Sequence, residues 1–213
     1  MKIATLVLSC GRWDLLSKSL ESYVRSMPVP TNIIIFDDSL SKLGQAIALD
    51  KLVDLGWQTG ADFFMMLEDD WVFEPNSDWY WLSMKLLECP EVMLIGLSLS
   101  EQLRPYMPEG ELNGVKIRWH NPWRLSENHG YWNGWISSPR LMRRDDFAVL
   151  PKFSNYVAEE KFDQGAWRPL YDLGRRSVWL EHQYVHHIGG GRSLFPEGDK
   201  LSPEVRTWLR SHT

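Results

Sequence analysis

Cysteine is scarce in this sequence, and no apolar run is long enough to cross a membrane. The two cysteines among 213 residues, Cys10 and Cys89, cannot build a disulfide framework, and we interpret both as reduced thiols. An apolar run at residues 3–8 is too short for a membrane span and too weakly flanked by positive charge for a secretory signal. These absences favour a cytoplasmic protein with no integral membrane segment.

An excess of positive charge is also missing. The 23 lysines and arginines against 28 acidic residues give a net charge of −5, with no dominant basic block. A protein that mainly coats nucleic acid would be basic, so this balance argues against that class while leaving room for a local basic patch. We find no repeats, no low-complexity tract and no internal linker, and therefore expect residues 1–213 to form a single domain.

The first half of the chain alternates between two hydrophobic patterns. Apolar and β-branched runs at residues 2–9, 32–36, 63–67 and 92–99 predict strands. Apolar residues at helical spacing lie between them and predict helices. Because consecutive parallel strands need such crossovers, we expect an α/β fold with a mostly parallel central sheet flanked by helices.

The second half is less regular. Residues 101–132 lack periodicity over a connection too long to be a simple turn, so we expect a lid or ligand-binding region, with a short hairpin around Gly114. Pro139 is expected to open a short helix with Arg140, Arg143 and Arg144 on a solvated face. Strands are expected at 177–180 and 183–188, and helices from residue 159 and over 202–209.

Tryptophan is abundant, with 12 residues in the chain. Four of them are candidates for stacking on a ligand: Trp119, Trp123, Trp132 and Trp135. Packing in a core or a lid is the commoner role of this residue, and that alternative stays open for each of the four.

Three consecutive acids, Glu68, Asp69 and Asp70, follow directly on the third predicted strand. Adjacent carboxylates repel, so between apolar flanks they favour a bound cation over open water. Ligands of open α/β sheets collect at the carboxyl ends of strands, and Asp37 and Asp38 end the second strand at the same edge. Oxygen ligands suit Mg²⁺ or Mn²⁺ carrying a substrate's phosphates. The alternative is a solvated acidic turn.

Four segments, taken in order, resemble nucleotide-sugar glycosyltransferases of the GT-A (Rossmann-like) fold, most closely family 2. They are the opening TLVLSCGRWDLLSKSLESY, the strand end Phe36-Asp37-Asp38-Ser39, the DXD-like Leu67-Glu68-Asp69-Asp70, and a C-terminal pair formed by residues 159–163 and by 187–193 with its His-x-Gly-Gly pattern. The resemblance spans nearly the whole chain.

The resemblance implies a Mn²⁺- or Mg²⁺-dependent enzyme that moves a hexosyl or pentosyl group from a nucleotide-diphosphate sugar to an acceptor hydroxyl, with inversion. Residues 1–100 would bind the donor, and residues 101–213 would carry the acceptor and catalytic half. Asp70 and His187 would hold the metal, with His186 as the alternative to His187. Donor contacts would come from Ser9, Asp37, Asp38, Glu68 and Asp69. Arg192 could reach the diphosphate as a charge-assisted donor.

The acceptor side is expected to include Trp132, Asn133 and Trp135. For the catalytic base we favour Glu160, with Glu159 or Asp163 as alternatives, because Lys161 stands where the family has its second acid. The acceptor could be a soluble glycan, a protein or a modified nucleobase of the kind found in phage DNA. Two other functions stay open: a nucleotidyltransferase, which would release pyrophosphate, and an inactive module that binds sugar nucleotides.

Overall fold

The computed structural model describes residues 2–99, 104–120, 139–155, 170 and 172–189. Ten strands occur in these ranges: β1 Ile3–Ser9, β2 Asn32–Asp37, β3 Phe63–Glu68, β4 Trp71–Phe73, β5 Val92–Gly96, β6 Glu109–Leu112, β7 Val115–Trp119, β8 Arg140–Arg143, β9 Arg176–Leu180 and β10 Val185–His187. The α-helices there are α1 Trp13–Ser26, α2 Gln45–Gln58, α3 Trp79–Leu87 and α4 Arg144–Phe147. Short 3₁₀ turns lie at Arg104–Tyr106 and Phe153–Asn155.

Eight of these strands form one sheet in the order β2-β1-β3-β8-β5-β9-β7-β6. Strand β1 is parallel to both β2 and β3, and β5 is parallel to β9. Strand β8 is antiparallel to β3 and to β5, between which it lies. Strand β7 is antiparallel to both β9 and β6, so six of the eight strands run in one direction and only β8 and β7 oppose them. The predicted α/β fold with a mostly parallel central sheet flanked by helices is therefore confirmed.

Two hydrophobic layers enclose the central strands, because successive residues of a strand point to opposite faces. The layer on the α2 side includes Leu6, Leu8, Leu52, Phe64 and Met66. The layer on the side of α1 and α3 includes Val7, Leu16, Met65, Leu67 and Trp79. Burial on both faces explains why β1 and β3 are continuous apolar runs rather than alternating ones.

The carboxyl ends of the first three strands meet at one edge of the sheet. In the parallel register Ser9 pairs with Asp37, and Leu8 pairs with Glu68. The acids that follow β2 and β3 are therefore brought to the end of β1, as the sequence predicted.

The segment after Pro139 differs from the prediction. Residues 140–143 form strand β8, and the helix begins only at Arg144. The prediction of a helix there was wrong because Leu141 and Met142, both 0% exposed, fill opposite layers between β3 and β5. Arg140 is 1% exposed and Arg143 donates to the carbonyls of Val92 and Cys89, so neither belongs to a solvated face.

A second, two-stranded sheet pairs β4 with β10 in antiparallel fashion and places His187 opposite Trp71.

The hairpin predicted around Gly114 is confirmed: it joins β6 to β7, and Asn113 and Gly114 both have positive φ, as its tight turn requires. The helices expected from residue 159 and over 202–209 lie outside the described residues. Within the described ranges, no helix has both the length and the apolar character that crossing a membrane demands.

Candidate active site

Asp69 is a fully buried anchor at the end of β3. It is 0% exposed, and its Oδ2 accepts hydrogen bonds from Ser9 Oγ at 2.9 Å and from the Cys10 amide at 3.2 Å. Arg12 donates to both carboxylate oxygens, from Nε to Oδ2 at 3.3 Å and from Nη2 to Oδ1. Asp69 therefore ties the turn after β1 to the end of β3, and two of the predicted donor-binding residues, Ser9 and Asp69, bond to each other.

Asp70 is also buried, but within the part of the chain that the structure describes only one of its carboxylate oxygens has a partner. Its Oδ2 lies 2.8 Å from Arg12 Nη1 and 3.1 Å from His187 Nε2. Its Oδ1 is buried and has no hydrogen-bond partner among the described residues. A buried carboxylate oxygen without a partner is costly, so it marks a position where a cation or a donor would be stabilising.

Gly189 makes room for the Asp70 carboxylate. A Cβ at position 189 would lie 2.2 Å from Asp70 Oδ2, so no other residue fits without moving the acid. The backbone next to it is held by the Ile188 amide, which donates to the Asp70 carbonyl at 2.8 Å. The glycine at this position belongs to the His-x-Gly-Gly pattern, and it is needed because any side chain would collide with the Asp70 carboxylate.

The geometry distinguishes the two neighbouring histidines. His187 Nε2 faces Asp70, whereas His186 Nε2 lies 3.1 Å from Glu74 Oε1, because adjacent residues of β10 point to opposite sides. The His187 ring also packs on Trp71, with ring centroids 5.0 Å apart. Of the two alternatives from the sequence, His187 is the one in reach of the acid cluster.

Glu74 joins β4 to the segment before and within β10. Its Oε2 lies 2.8 Å from His182 Nε2, and its amide donates to the Tyr184 carbonyl at 2.9 Å. The hydrogen bonds from His182, and more weakly from His186, hold the pKa of Glu74 below its ordinary value of 4.5. These contacts fix the small sheet that presents His187.

The remaining described acids serve different roles. Asp38 accepts hydrogen bonds from the Leu43 and Gly44 amides at 2.8 and 2.9 Å, so its carboxylate closes the loop after β2. Asp37 accepts the Ser39 amide at 2.9 Å. Glu68 is half-buried, and its two carboxylate oxygens accept hydrogen bonds from Trp71 Nε1 and Gln45 Nε2, each at 3.4 Å.

Arg12 is the residue that sequence reasoning missed. Repulsion among three acids predicted a bound cation, but the guanidinium of Arg12 already supplies positive charge to Asp69 and Asp70. The signal was present, since Arg12 lies in the turn after β1, at the same sheet edge as the acids. Burial, the largest influence, and the charge of Asp69 raise the pKa of the neighbouring Cys10 thiol to about 11, which favours the protonated thiol over the thiolate near neutral pH.

A divalent cation fits this arrangement in part. Asp70 Oδ1 offers an unused buried oxygen, and His187 Nε2 approaches the same carboxylate. Within the described ranges no group of three or more His, Cys, Asp or Glu side chains could hold a metal ion by itself. Mg²⁺ and Mn²⁺ sites that use one or two protein groups are completed by substrate phosphates and water, so the fit is to a shared site.

Several predicted residues lie outside the described part of the chain. They are Glu159, Glu160, Asp163, Arg192, Trp123, Trp132, Asn133 and Trp135. Trp119 is described and packs over Gly110, where an added Cβ would meet its indole nitrogen at 2.4 Å. This tryptophan therefore packs within the β6–β7 hairpin.

Solved structures of several transferases share this architecture. TarS residues 1–349 from S. aureus, in complex with UDP-GlcNAc, match with a TM-score of 0.54 and 10% identity over 89% of this chain and 61% of that one. Glucosyl-3-phosphoglycerate synthase from Mycobacterium tuberculosis, with Mn²⁺, UDP and glucosyl-3-phosphoglycerate, matches with a TM-score of 0.53 and 14% identity over 87% and 71%. CMP:2-keto-3-deoxy-manno-octonic acid synthetase in complex with CTP matches with a TM-score of 0.50 and 13% identity over 100% of both chains.

No family model and no curated protein matches the sequence. At these identities the likeness establishes the fold: an α/β architecture like that of GT-A-type nucleotide-sugar transferases, with a nucleotidyltransferase among its neighbours. The chain spans 61% of the TarS chain that it matches, so much of that protein has no counterpart in it.

Proposed function

We propose that this protein is a glycosyltransferase that uses a divalent metal ion and a nucleotide-diphosphate sugar. The observation that carries the proposal is the unpartnered, buried Oδ1 of Asp70 beside His187, at the strand ends where this fold class binds nucleotides. Neighbours of the same fold that hold UDP-GlcNAc, or UDP with Mn²⁺, support a uridine-type donor as the first to test.

The metal ion would be Mn²⁺ or Mg²⁺, held by Asp70 and His187. When bound, it would neutralise the charge that builds on the diphosphate as the glycosidic bond breaks. The protein's own residues prepare this position. Asp69 and Arg12 orient Asp70, and Gly189 leaves space for its carboxylate. Asp37 and Glu68 would contact the ribose or base from the neighbouring strand ends.

The acceptor hydroxyl would lose its proton to an acid of the segment 159–163. We favour Glu160, with Glu159 or Asp163 as alternatives, and inversion follows from the family 2 resemblance. Trp132, Asn133 and Trp135 would line the acceptor side, and Arg192 would reach the diphosphate. The acceptor would be a soluble glycan, a protein or a modified nucleobase.

A nucleotidyltransferase is the second candidate function. It is favoured by the likeness to the CTP-bound synthetase, which extends over 100% of both chains. Such an enzyme would transfer the nucleoside monophosphate group of a nucleoside triphosphate to a sugar acid or sugar phosphate and release pyrophosphate. An inactive binding module, the third alternative, would bind a nucleotide with metal and never turn it over.

Calorimetric titration with UDP, GDP, CDP and dTDP, each with and without Mn²⁺, tests the donor site. We expect one nucleoside diphosphate to bind at least about tenfold more tightly with Mn²⁺, and Asp70→Asn to remove that gain, since its amide is a poor metal ligand. The matched control is Asp54→Asn, an exposed carboxylate on α2. Metal-independent binding, or an equal gain in Asp70→Asn, would contradict the proposed metal site.

A further inference from the structure

The position of Arg12 between two buried carboxylates has a consequence for metal binding. We propose that Arg12 is a positioning residue that shares Asp70 with the divalent cation and so makes binding of the cation depend on the nucleotide diphosphate. This inference rests on the proposed function. In this role, Arg12 weakens binding of the divalent cation until the nucleotide diphosphate is bound.

Arg12 makes more contacts with Asp69 than with Asp70. Nε and Nη2 both donate to Asp69, which is also bonded by Ser9 and Cys10, whereas only Nη1 reaches Asp70, at 2.8 Å. The contact with Asp69 is therefore the fixed one. The single contact between Nη1 and Asp70 can be replaced by a contact with a ligand while Nε and Nη2 stay bonded to Asp69.

The charges make that exchange dependent on the ligand. The guanidinium of Arg12 offsets one of the two negative charges that Asp69 and Asp70 would otherwise present to a cation, and the side chains of Asp69, Asp70 and Arg12 are only 1%, 6% and 17% exposed. A divalent cation at Asp70 would lie close to the guanidinium, and such like charges repel strongly where water is scarce. The free protein should therefore bind the cation weakly.

A diphosphate changes this balance. Its negative charges offset the positive charges of both the cation and Arg12. If the guanidinium no longer contacts Asp70, it can donate hydrogen bonds to a phosphate oxygen instead. Cation and nucleotide should then each raise the affinity for the other by the same factor, as linkage requires. Loss of the Arg12 charge should uncouple them.

The test is Mn²⁺ binding measured by electron paramagnetic resonance of the free ion, with and without UDP or whichever nucleoside diphosphate binds. For the wild type we expect weak binding alone and at least about tenfold tighter binding with nucleotide. Arg12→Gln should bind Mn²⁺ alone at least about tenfold more tightly than the wild type and gain less from nucleotide. Arg12→Lys keeps the charge and should keep the coupling.

The matched control is Arg25→Gln, on the exposed end of α1, where Arg25 pairs with Glu21 at 2.6 Å. It should behave as the wild type. Because Arg12→Gln leaves Asp69 buried without a cation, the double variant Arg12→Gln/Asp69→Asn removes both charges and serves if the single variant unfolds. Mn²⁺ binding that is no tighter than wild type in the folded variant overturns the role of Arg12. Absence of any nucleotide-dependent Mn²⁺ binding in the wild type overturns the proposed function itself.

Discussion

At the scale of single residues, Asp70 is confined by three neighbours of different kinds. Arg12 supplies positive charge, His187 supplies a ring nitrogen, and Gly189 supplies space. Arg12 comes from the turn after β1, whereas His187 and Gly189 lie at or just after the end of β10, so the position of one carboxylate depends on two distant parts of the chain. Substitutions at these neighbours should therefore affect binding even though Asp70 itself is unchanged.

Gly189→Ala should disable the site. The added methyl group would lie 2.2 Å from Asp70 Oδ2 and 2.9 Å from its Cβ, so the whole side chain must move. We expect loss of metal-dependent nucleotide binding, and an overpacking cost of about 1–3 kcal/mol in the free energy of unfolding. Calorimetry and urea unfolding measure the two effects.

The matched control is Gly60→Ala, at a turn where φ is +63° and no atom beyond the adjacent residues lies within 4 Å of the added carbon. Backbone strain there should cost about 1–2 kcal/mol of stability and leave nucleotide binding intact. If both alanine variants bound the nucleotide equally well, the space left for Asp70 would not be the reason for glycine at position 189.

Arg12→Gln should destabilise the protein more than Asp69→Asn does. Without Arg12, the buried carboxylates of Asp69 and Asp70 face each other with no guanidinium between them, and a broken buried ion pair costs about 3–5 kcal/mol. Asp69→Asn removes one of the two negative charges and leaves Arg12 paired with Asp70. Urea unfolding at neutral pH compares the variants, and a larger loss in Asp69→Asn would contradict this account of the charges.

At the scale of secondary structure, the small sheet of β4 and β10 links distant parts of the chain. Glu74 follows β4 and bonds to His182 and His186, and this pairing places His187 over Trp71. The sequence predicted strand character at 183–188 but gave no sign of its partner. A strand of three residues that pairs outside the main sheet has too little pattern to be recognised from spacing alone.

Glu74→Gln should lower stability in a pH-dependent way. Hydrogen bonds from His182 and His186 lower the pKa of Glu74 in the folded state below 4.5, so the ionised form favours folding at pH values above that point. The difference from wild type should be full near neutral pH and vanish as the pH falls through the lowered pKa. It should stay below about 1 kcal/mol, because the group is partly exposed. Urea unfolding between pH 7 and pH 3 measures it, and a difference independent of pH would refute it.

The accuracy of the strand predictions has a physical explanation. Strands β1 and β3 are buried on both faces, so their apolar runs were clear. Strand β2 lies at the edge of the sheet and is only half-buried, with Ile35 41% exposed, but it too is a continuous apolar run. The acids after β2 and β3 were correctly placed at one edge. Strand β8 is a four-residue antiparallel insertion with an arginine at each end, and its pattern resembled a helix face. The contact of Arg12 with Asp69 depends on how α1 packs against the sheet, which no local spacing encodes.

At the scale of the whole molecule, the fold is shared by enzymes of two reaction types, glycosyl transfer and nucleotidyl transfer, which break different bonds in different nucleotide substrates. In glycosyl transfer the bond between the anomeric carbon and the diphosphate oxygen breaks, and a nucleoside diphosphate leaves. In nucleotidyl transfer the bond between the α and β phosphates of a triphosphate breaks, and pyrophosphate leaves. The same sheet edge can serve both, so the products distinguish them where the architecture does not.

We therefore expect incubation with a UDP-sugar and Mn²⁺ to release UDP as water slowly takes the place of the acceptor and receives the sugar. Incubation with CTP or UTP and a sugar phosphate or sugar acid should release no pyrophosphate. Anion-exchange chromatography separates the nucleotides, and a coupled phosphate assay detects pyrophosphate. Asp70→Asn should lower UDP release at least about a hundredfold, because it removes metal-assisted departure of the diphosphate, whereas Asp54→Asn should match the wild type. Pyrophosphate release that depends on Asp70 would instead assign the site to nucleotidyl transfer, with the same carboxylate holding a triphosphate's metal.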